Sequence, residues 1–280
     1  MARLITAHDN ANAPIVGPAD ETLRLITFRL VNLSPGAAFE VAEPGHELCV
    51  VPLSGTADVV AGDRVFEGVG GRDHVFAGLA DSLYVPPGVR LRLSAPGGAE
   101  VALAGAAAPP DPDLSAFRIP PEEVEEVDVG SRETHSRRRI RHILGQRQHG
   151  RVHRLLVSEL YADPGCWSGY PPHKHDADDS AEETRHEELY HYRFNPDTGF
   201  GGQTCYSDGE GPSAYVTRHG DTFCLDRGYH PTVTSPGHEG YIFTILAGFT
   251  RRGLVQRFEA RHAHLMDTIP GIQGMRDAFK

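Results

Sequence analysis

Residues 188–194 read Glu-Leu-Tyr-His-Tyr-Arg-Phe, and residues 47–53 read Glu-Leu-Cys-Val-Val-Pro-Leu. Each run opens with Glu-Leu and continues with residues that include the aromatic and β-branched types favouring strands. Other β-rich runs of the chain are also short and are mostly bounded by Gly, Pro or Asp, in a sequence with 31 glycines and 21 prolines. This pattern predicts an all-β sandwich or barrel rather than alternating strands and helices.

A second pair of segments indicates a duplication. Residues 83–90 read Leu-Tyr-Val-Pro-Pro-Gly-Val-Arg, and residues 223–230 read Phe-Cys-Leu-Asp-Arg-Gly-Tyr-His. When Glu47 is matched with Glu188, the number of residues from the glutamate to the glycine of the second segment is nearly equal in the two copies: 41 from Glu47 to Gly88 and 40 from Glu188 to Gly228. We therefore expect two copies of one β module. The first copy ends this segment with an arginine where the second has a histidine.

The two expected modules are joined by residues 106–121, which are rich in Ala, Pro and Asp and are typical of a linker. Helix is expected in the C-terminal tail and near Pro121, where two glutamates follow the proline. A chain of 280 residues is long enough to bury one large or two medium cores.

Charge and hydropathy argue against several classes of protein. A net charge of −11 disfavours non-specific binding to nucleic acid or to anionic lipid. No run approaches the roughly 18 apolar residues of a membrane span, and residues 1–6 contain no apolar core of a signal peptide. We therefore expect a cytoplasmic protein with neither a nucleic acid nor a membrane as partner. The widely spaced cysteines, which form no Cys-x-x-Cys pair, are expected to be free thiols.

Three histidines and a carboxylate distinguish the second copy. His173 and His175 lie in the segment Pro-Pro-His-Lys-His-Asp, and alternation along an extended chain places both rings on one face. Glu188 heads the strand quoted above, and His230 follows a Gly-Tyr turn and precedes a proline. Imidazole and carboxylate ligands in this combination suit a divalent transition metal that keeps coordination positions open for a substrate.

The residues alone leave the identity of the carboxylate ligand open. Six other acidic residues crowd the intervening segment: Asp176, Asp178, Asp179, Glu182, Glu183 and Glu187. Glu188 is preferred because it matches Glu47 and leads directly into a strand. On that strand Glu188, Tyr190 and Tyr192 would face inward, whereas Glu187 would face the opposite side. The ligand types suit Zn²⁺, Mn²⁺, Fe²⁺, Co²⁺ or Ni²⁺ and do not choose among them; we expect Zn²⁺ or Mn²⁺.

The chain resembles the 5-deoxy-glucuronate isomerase family, the bicupin isomerases of myo-inositol catabolism. The resemblance is carried by residues 167–176, 187–193, 199–203, 228–231 and 247–251, which read WSGYPPHKHD, EELYHYR, GFGGQ, GYHP and AGFTR. The N-terminal half resembles the first module of that family more loosely, so the resemblance covers nearly the whole chain.

The resemblance implies a bicupin, in which two β-sandwich or jelly-roll barrels are accompanied by a few short helices. Residues 1–110 would form an N-terminal cupin without a metal site, and residues 122–280 a C-terminal metal-binding cupin with a helical or irregular tail. The family reaction interconverts 5-deoxy-D-glucuronate, an aldose, and 5-dehydro-2-deoxy-D-gluconate, a ketose. We therefore expect a metal-dependent sugar-acid isomerase, with a homo-oligomer left open. The implied metal ligands are His173, His175, Glu188 and His230.

Three places depart from the family pattern. Gly169 stands where the family usually has a second serine, Leu246 where methionine is usual, and residues 225–227 read Leu-Asp-Arg where Val-Pro is usual. None of these is a proposed ligand, but residues 226–227 lie close before His230. A shifted substrate preference is therefore an alternative.

The sequence does not single out a general base. The candidates are a hydroxide on the metal, Tyr190, Tyr192 and an acidic residue of the loop, with cavity packing as the alternative role of the tyrosines. Gln203 is a candidate contact to a substrate hydroxyl, because the glycines beside it allow close backbone approach. The substrate carboxylate requires a cation. The available cations are Lys174, Arg193, Arg227 and Arg251. Alternation along their strands would point Lys174 and Arg193 away from the cavity unless the strand bends.

Other functions fit a metal cupin. An isomerase of a related uronate, such as 4-deoxy-hexosulose uronate, would use similar chemistry. An Fe²⁺ dioxygenase would consume O₂ with its substrate. A non-catalytic sugar-binding cupin would bind a ligand tightly without turnover.

Overall fold

The computed structural model describes residues 2–18, 20–179 and 181–279. The first strands along the chain are β1 (Arg3–Ile5), β2 (Pro14–Val16), β3 (Ile26–Leu33), β4 (Ala37–Val41), β5 (His46–Ala61), β6 (Arg64–Gly70), β7 (Ser82–Val85), β8 (Leu91–Ala95), β9 (Ala99–Ala107) and β10 (Phe117–Ile119). The strands that follow are β11 (Glu125–Val129), β12 (Arg138–Leu144), β13 (Leu155–Ala162), β14 (Trp167–Ser168), β15 (His173–Lys174), β16 (His186–Asn195), β17 (Phe200–Cys205), β18 (Ser213–Arg218), β19 (Thr222–Leu225), β20 (Thr232–Thr234), β21 (Glu239–Gly248) and β22 (Arg257–Phe258).

Helical structure is short in the described part of the chain. One α-helix, α1, spans Ile272–Phe279, and 3₁₀ helices lie at Val75–Ala77, Pro121–Glu123, Gln146–Gln148 and Ala260–Leu265. The predictions of helix near Pro121 and in the C-terminal tail are confirmed, and so is the all-β fold class.

The N-terminal half forms a barrel from two sheets that share the long strand β5. One sheet has the order β10-β7-β5-β9-β3-β2. In the other sheet β4 pairs with β8, and both β8 and β6 pair with the C-terminal end of β5. The chain turns between the sheets at Gly55, whose φ is 73° and where a Cβ atom would lie 2.4 Å from the Gly98 carbonyl oxygen. Glycine is therefore required at this corner. The interior of this barrel is an apolar cluster that includes Leu48, Val50 and Leu103.

The C-terminal half is built in the same way. Its larger sheet has the order β1-β19-β16-β21-β13-β12-β11, and its smaller sheet has the order β14-β20-β17-β18. The short pair β15–β22 adds a further edge. Strand β1 belongs to this half although it lies at the start of the chain, because Arg3 to Ile5 pair antiparallel with β19.

The hydrogen-bonded register corrects the alignment of the two copies. Across β3, β9 and β5, three residues lie side by side: Ile26, Ala106 and Glu47. Across β13, β21 and β16, the same places are taken by Leu155, Ala247 and Glu187. The match of Glu47 with Glu188 was therefore wrong by one residue. The true counterpart of Glu188 is Leu48, and the spacing from Glu47 to Gly88 then equals that from Glu187 to Gly228.

Residues 106–121 are not only a linker. Strand β9 runs to Ala107, and β10 pairs with β7, which places Phe117 and Ile119 in the core. The apolar side chains of β10 explain the difference, because a strand that buries them stabilises the edge of the sheet. The division into modules at residues 110 and 122 stays a prediction.

A large apolar core lies between the two halves. At its edges, a buried glutamate of each half accepts hydrogen bonds from backbone N–H groups of the other half. Glu47 accepts the backbone N–H groups of residues 153–155, which lead into β13, at 2.7 to 2.9 Å. Glu187 accepts those of residues 24–25, which lead into β3, at 2.7 Å. Because β3 and β13 are equivalent strands, each half caps the same strand of the other half.

Two further predictions can be compared with the structure. The four cysteines are free thiols, as expected. Within the described ranges, no helix combines the length and apolar character needed to cross a bilayer.

Candidate active site

His175, Glu188 and His230 converge inside the C-terminal barrel. Their ligand atoms all lie within 4.8 Å of one another, and this is the only such group of three found among the described residues. The Glu188 Oε2 atom lies 3.0 Å from His175 Nε2 and 3.2 Å from His230 Nε2. All three side chains are buried. Glu188 is carried by β16, His175 follows β15, and His230 lies in the turn between β19 and β20.

Backbone carbonyl groups orient the imidazoles. The Nδ1 atom of His175 lies 3.1 Å from the carbonyl oxygen of His186, and that of His230 lies 2.8 Å from the carbonyl oxygen of Gly228. A carbonyl oxygen only accepts, so Nδ1 carries the proton in both rings. Each Nε2 atom is then left with a lone pair directed into the barrel, which is how metal-binding histidines are usually held.

The electrostatics of this group fit a cation. Burial raises the pKa of the Glu188 carboxyl, but interactions with His175 and His230 outweigh burial and hold that pKa well below its usual range. With Nδ1 already protonated, either ring can donate from Nε2 to Glu188 only as an imidazolium ion. The buried Nε2 atom of His230 also has no hydrogen-bond partner. A divalent metal ion would satisfy the carboxylate and both lone pairs while the imidazoles stay neutral.

His173 lies beside this group but outside it. Its ring centroid is 4.9 Å from that of His230, and its Nδ1 atom lies 3.2 Å from the Pro171 carbonyl oxygen. Its Nε2 atom is 3.0 Å from the side-chain nitrogen of Gln256. The ring thus has the same tautomer as the other two. Its Nε2 lone pair accepts a hydrogen bond from Gln256, a residue that the motifs did not indicate.

The predicted alternation of β16 is confirmed. Glu188 and Tyr190 line the internal cavity, while Glu187 faces the N-terminal half. Burial, followed by the charge of Glu188, raises the pKa of Tyr190 well above its usual value. Tyr190 is therefore a phenol, and a hydrogen-bond donor, at neutral pH.

Tyr192 and Gln203 bind each other rather than facing an open space. The Tyr192 hydroxyl donates to Gln203 Oε1 at 2.6 Å, and Gln203 Nε2 donates to the backbone carbonyl of His230 at 2.9 Å and to that of Thr204 at 2.8 Å. The expected contact of Gln203 with a substrate hydroxyl competes with these bonds. The geometry makes Gln203 a residue that positions the His230 turn.

The cavity is small, with a volume of ≈ 50 Å³. Besides Glu188, Tyr190 and His173 it is lined by Arg138, Ile140, Ser158, Leu160, Ser168, Gly169, Thr232, Ile242, Thr244, Leu246, Leu254, Gln256 and Met275. Two of the departures from the family pattern, Gly169 and Leu246, therefore lie at the site. Gly169 has a φ of 57°, and a Cβ atom there would lie 3.1 Å from the His230 carbonyl oxygen.

The four cations considered for the substrate carboxylate do not line this cavity. Lys174 pairs with Asp176 at 2.5 Å, and Arg193 forms two bonds to Glu100 of the N-terminal half at 2.6 and 2.7 Å. Arg227 lines a different depression, together with residues of the N-terminal half. Arg251 is exposed.

The profile of the KduI/IolB family matches residues 4–265. The chain belongs to the KduI/IolB family. The 5-deoxy-glucuronate isomerase of Geobacillus kaustophilus is 33% identical over 259 residues, which cover 90% of this chain and 91% of that protein. The enzyme of the same name from Bacillus licheniformis is 31% identical over 239 residues, covering 85% and 86%. The predicted family and isomerase class are confirmed by these relatives.

Solved structures support the fold of this KduI/IolB member. An IolB-like protein from Salmonella typhimurium LT2 superimposes with a TM-score of 0.83 at 28% identity, covering 94% of this chain and 98% of that one. Oxalate decarboxylase from Bacillus subtilis has a TM-score of 0.60 at 13% identity, covering 100% and 81%. The latter similarity concerns the fold alone.

Proposed function

We propose that this protein interconverts 5-deoxy-D-glucuronate and 5-dehydro-2-deoxy-D-gluconate in myo-inositol catabolism, with one divalent metal ion held by His173, His175, Glu188 and His230. The supporting observation is the convergence of Glu188 with two oriented imidazole lone pairs inside the C-terminal barrel, in a chain whose relatives are named 5-deoxy-glucuronate isomerases. The donor set favours Zn²⁺ or Mn²⁺, with Fe²⁺, Co²⁺ and Ni²⁺ as alternatives.

His173 joins the other three ligands in this proposal when Gln256 releases its Nε2 atom. The Nδ1 contact with Pro171 already fixes the tautomer that coordination through Nε2 requires. Gln256 has a second polar atom, Oε1, that is buried without a partner. Its side-chain amide can therefore turn toward another donor once His173 is engaged.

The reaction transfers a proton from C2 to C1 of the aldose while the hydroxyl proton moves from O2 to O1. A divalent ion supplies Lewis-acid polarisation of these two oxygens. Tyr190 is placed beside Glu188 on the cavity wall, and its raised pKa keeps the proton on its hydroxyl. We assign Tyr190 the role of hydrogen-bond donor to a substrate oxygen. The Tyr192–Gln203 pair positions His230 through the His230 carbonyl.

The test is a proton NMR assay of purified protein with 5-deoxy-D-glucuronate in D₂O, after the metal content has been measured. We expect the anomeric signals of the aldose to disappear, and the conversion to stop when a chelator removes the metal and to resume when it is restored. Deuterium in the new CH₂OH group would show that the transferred proton exchanges with solvent. Conversion that persists in metal-free protein would contradict the proposed metal dependence.

The rival functions give different results in the same assay. Turnover of 4-deoxy-hexosulose uronate in preference to 5-deoxy-D-glucuronate would indicate that the departures at Gly169 and Leu246 have changed the substrate. Consumption of O₂ would indicate a dioxygenase. Saturable binding without conversion by metal-loaded protein would indicate a sugar-binding protein.

A further inference from the structure

Arg138 is a buried guanidinium that has no carboxylate partner among the residues that the structure describes. It lies on β12, is only 1% exposed, and is the largest of the fully buried side chains. Its two terminal nitrogens donate to the backbone carbonyls of Ser136 at 2.9 Å and Tyr170 at 2.7 Å, whereas its buried Nε atom has no partner. Burial lowers the pKa of Arg138 to about 10, so the group is still charged at neutral pH.

The other deeply buried arginines are compensated more fully. Arg72 forms two bonds to the carboxylate of Glu159. Arg252 donates to three backbone carbonyls, including one from its Nε atom to Leu155 at 2.9 Å. A buried charge without such compensation is strongly destabilising. A group from outside the chain would therefore find an unusually favourable partner in Arg138.

Arg138 faces a cavity that two of the candidate metal ligands also line. It lines this cavity together with Glu188, His173 and Gln256. Its partner Tyr170 directly follows Gly169, the residue that packs against the backbone of His230. The guanidinium and the histidine turn are thus held by adjacent residues of one loop. A ligand that reaches both must have an anionic group and a pair of metal-binding oxygens.

The walls near Arg138 suit the remaining part of such a ligand. Ile140, Leu160 and Ile242 provide an apolar surface in the same cavity, and Ser158 and Thr244 provide hydroxyl groups. A 5-deoxy sugar acid has a methylene group next to its carboxylate and hydroxyl groups further along. Apolar walls beside a cation match the first part, and hydroxyl groups match the second.

We propose that Arg138 binds the carboxylate of the sugar-acid substrate and thereby selects acids over neutral sugars. This inference rests on the proposed function, because it takes the sugar acid as the ligand of this cavity. The guanidinium pairs with the carboxylate through two N–H donors, one of them the unpartnered Nε. Arg138 is thus a specificity-determining residue that acts at the opposite end of the substrate from the reacting carbons.

The experiment compares 5-deoxy-D-glucuronate with the neutral analogue that has CH₂OH in place of the carboxylate. Binding to metal-loaded protein is measured by calorimetry, and turnover by NMR. We expect wild-type protein to bind the acid on the order of 100-fold more tightly. In Arg138→Met this preference should fall to within about threefold. An unchanged preference in a folded, metal-loaded Arg138→Met would overturn the proposal.

Arg138→Lys and Arg193→Gln complete the set. Arg138→Lys keeps the charge but not the two-pronged geometry, so its preference for the acid should be about tenfold weaker than that of wild type. It decides the matter if Arg138→Met does not fold, since an undiminished preference would then contradict the proposal. Arg193→Gln removes an arginine that lies outside the cavity and should leave the preference for the acid unchanged. If this variant lost the preference, the cause would be a general effect of charge, and the assignment to Arg138 would be overturned.

The two proposals fail in distinguishable ways. If wild-type protein binds the acid selectively but does not convert it, the proposed isomerisation fails while the role of Arg138 is still decided by the binding ratios. If wild-type protein converts the acid and Arg138→Met keeps the full preference, the isomerisation stands and the role of Arg138 fails.

Discussion

The two halves carry equivalent residue pairs, Glu47-Leu48 on β5 and Glu187-Glu188 on β16. The first residue of each pair faces the opposite half, and it is a glutamate in both. The second residue faces the interior of its own barrel, and it is leucine in one half and glutamate in the other. One face of the strand thus holds the halves together, while the other face is apolar in one barrel and carries a candidate metal ligand in the other.

The barrel interiors differ in the same way beyond these positions. The N-terminal interior is filled by a cluster of apolar side chains, among them Val59, Leu83 and Leu91. The C-terminal interior contains imidazoles, hydroxyl groups and the charge of Arg138, together with apolar side chains, around a small cavity. A filled interior stabilises the fold through dispersion and apolar burial. An interior that keeps polar groups around a cavity gives up part of that stability for a binding site.

The largest expected effect is at the histidines that only the C-terminal half has. His175→Ala and His230→Ala should each remove the metal and lower turnover on the order of 1,000-fold or more, because several kcal/mol of Lewis-acid stabilisation would be lost. Metal analysis, circular dichroism and the NMR assay measure this. His264→Ala, at an exposed position of the same half, should keep metal and activity. Full metal occupancy in either ligand variant would show that its ligand assignment is wrong.

The second test gives the N-terminal half the missing carboxylate. Leu48→Glu should destabilise the protein by about 4 kcal/mol without creating a metal site, because it buries an acid in a cluster of apolar side chains. Denaturant unfolding and metal analysis measure both quantities. Leu48→Met keeps an apolar side chain and should change stability by less than about 1.5 kcal/mol. An additional metal ion bound by Leu48→Glu would contradict the view that the first barrel lacks the other ligands.

The third test concerns the face that the halves share. Glu47→Ala leaves three backbone N–H groups and the Tyr84 hydroxyl without their acceptor. We therefore expect the free energy of unfolding to fall by about 3 kcal/mol or more. Glu187→Ala affects two N–H groups and should lower stability by about 2 kcal/mol. Both should still bind the metal. Glu40→Ala, at an exposed position, provides the baseline for unfolding midpoints. Equal midpoints for all three variants would disprove the capping role.

The smallest effect is expected at Arg90, which stands where the C-terminal half has His230. Its side chain is exposed, so Arg90→Ala should change the free energy of unfolding by less than about 0.5 kcal/mol and leave the metal content unchanged. Metal analysis and size-exclusion chromatography suffice to check this. Loss of metal from this variant would mean that the N-terminal half contributes to the site after all.

Strand periodicity and the repeat predicted much of this structure. They indicated an all-β fold and placed Glu188 and Tyr190 on the inward face. They misaligned the copies by one residue, because Glu47 can be matched with either Glu187 or Glu188. Only the hydrogen-bonded register of the strands distinguishes these two alignments. The preference for Glu188 over Glu187 therefore rests on strand parity and not on the match with Glu47.

Residues that act through distant contacts were harder to find. Arg138 lies in the run Arg137-Arg138-Arg139, which is typical of a solvated surface. A signal was present, since Arg138 alternates with the buried Ile140 and thus shares its face of β12. Gln256 gave none, because its contact with His173 depends on the pairing of β15 with β22.

The crossing of β1 into the C-terminal half also has a consequence for synthesis. Arg3 pairs with Cys224, so β1 is synthesised long before its partner strand β19. During that time β1 cannot take its place, although the N-terminal barrel can assemble. The larger C-terminal sheet is completed by residues that lie far apart in the chain, and such non-local pairing slows folding.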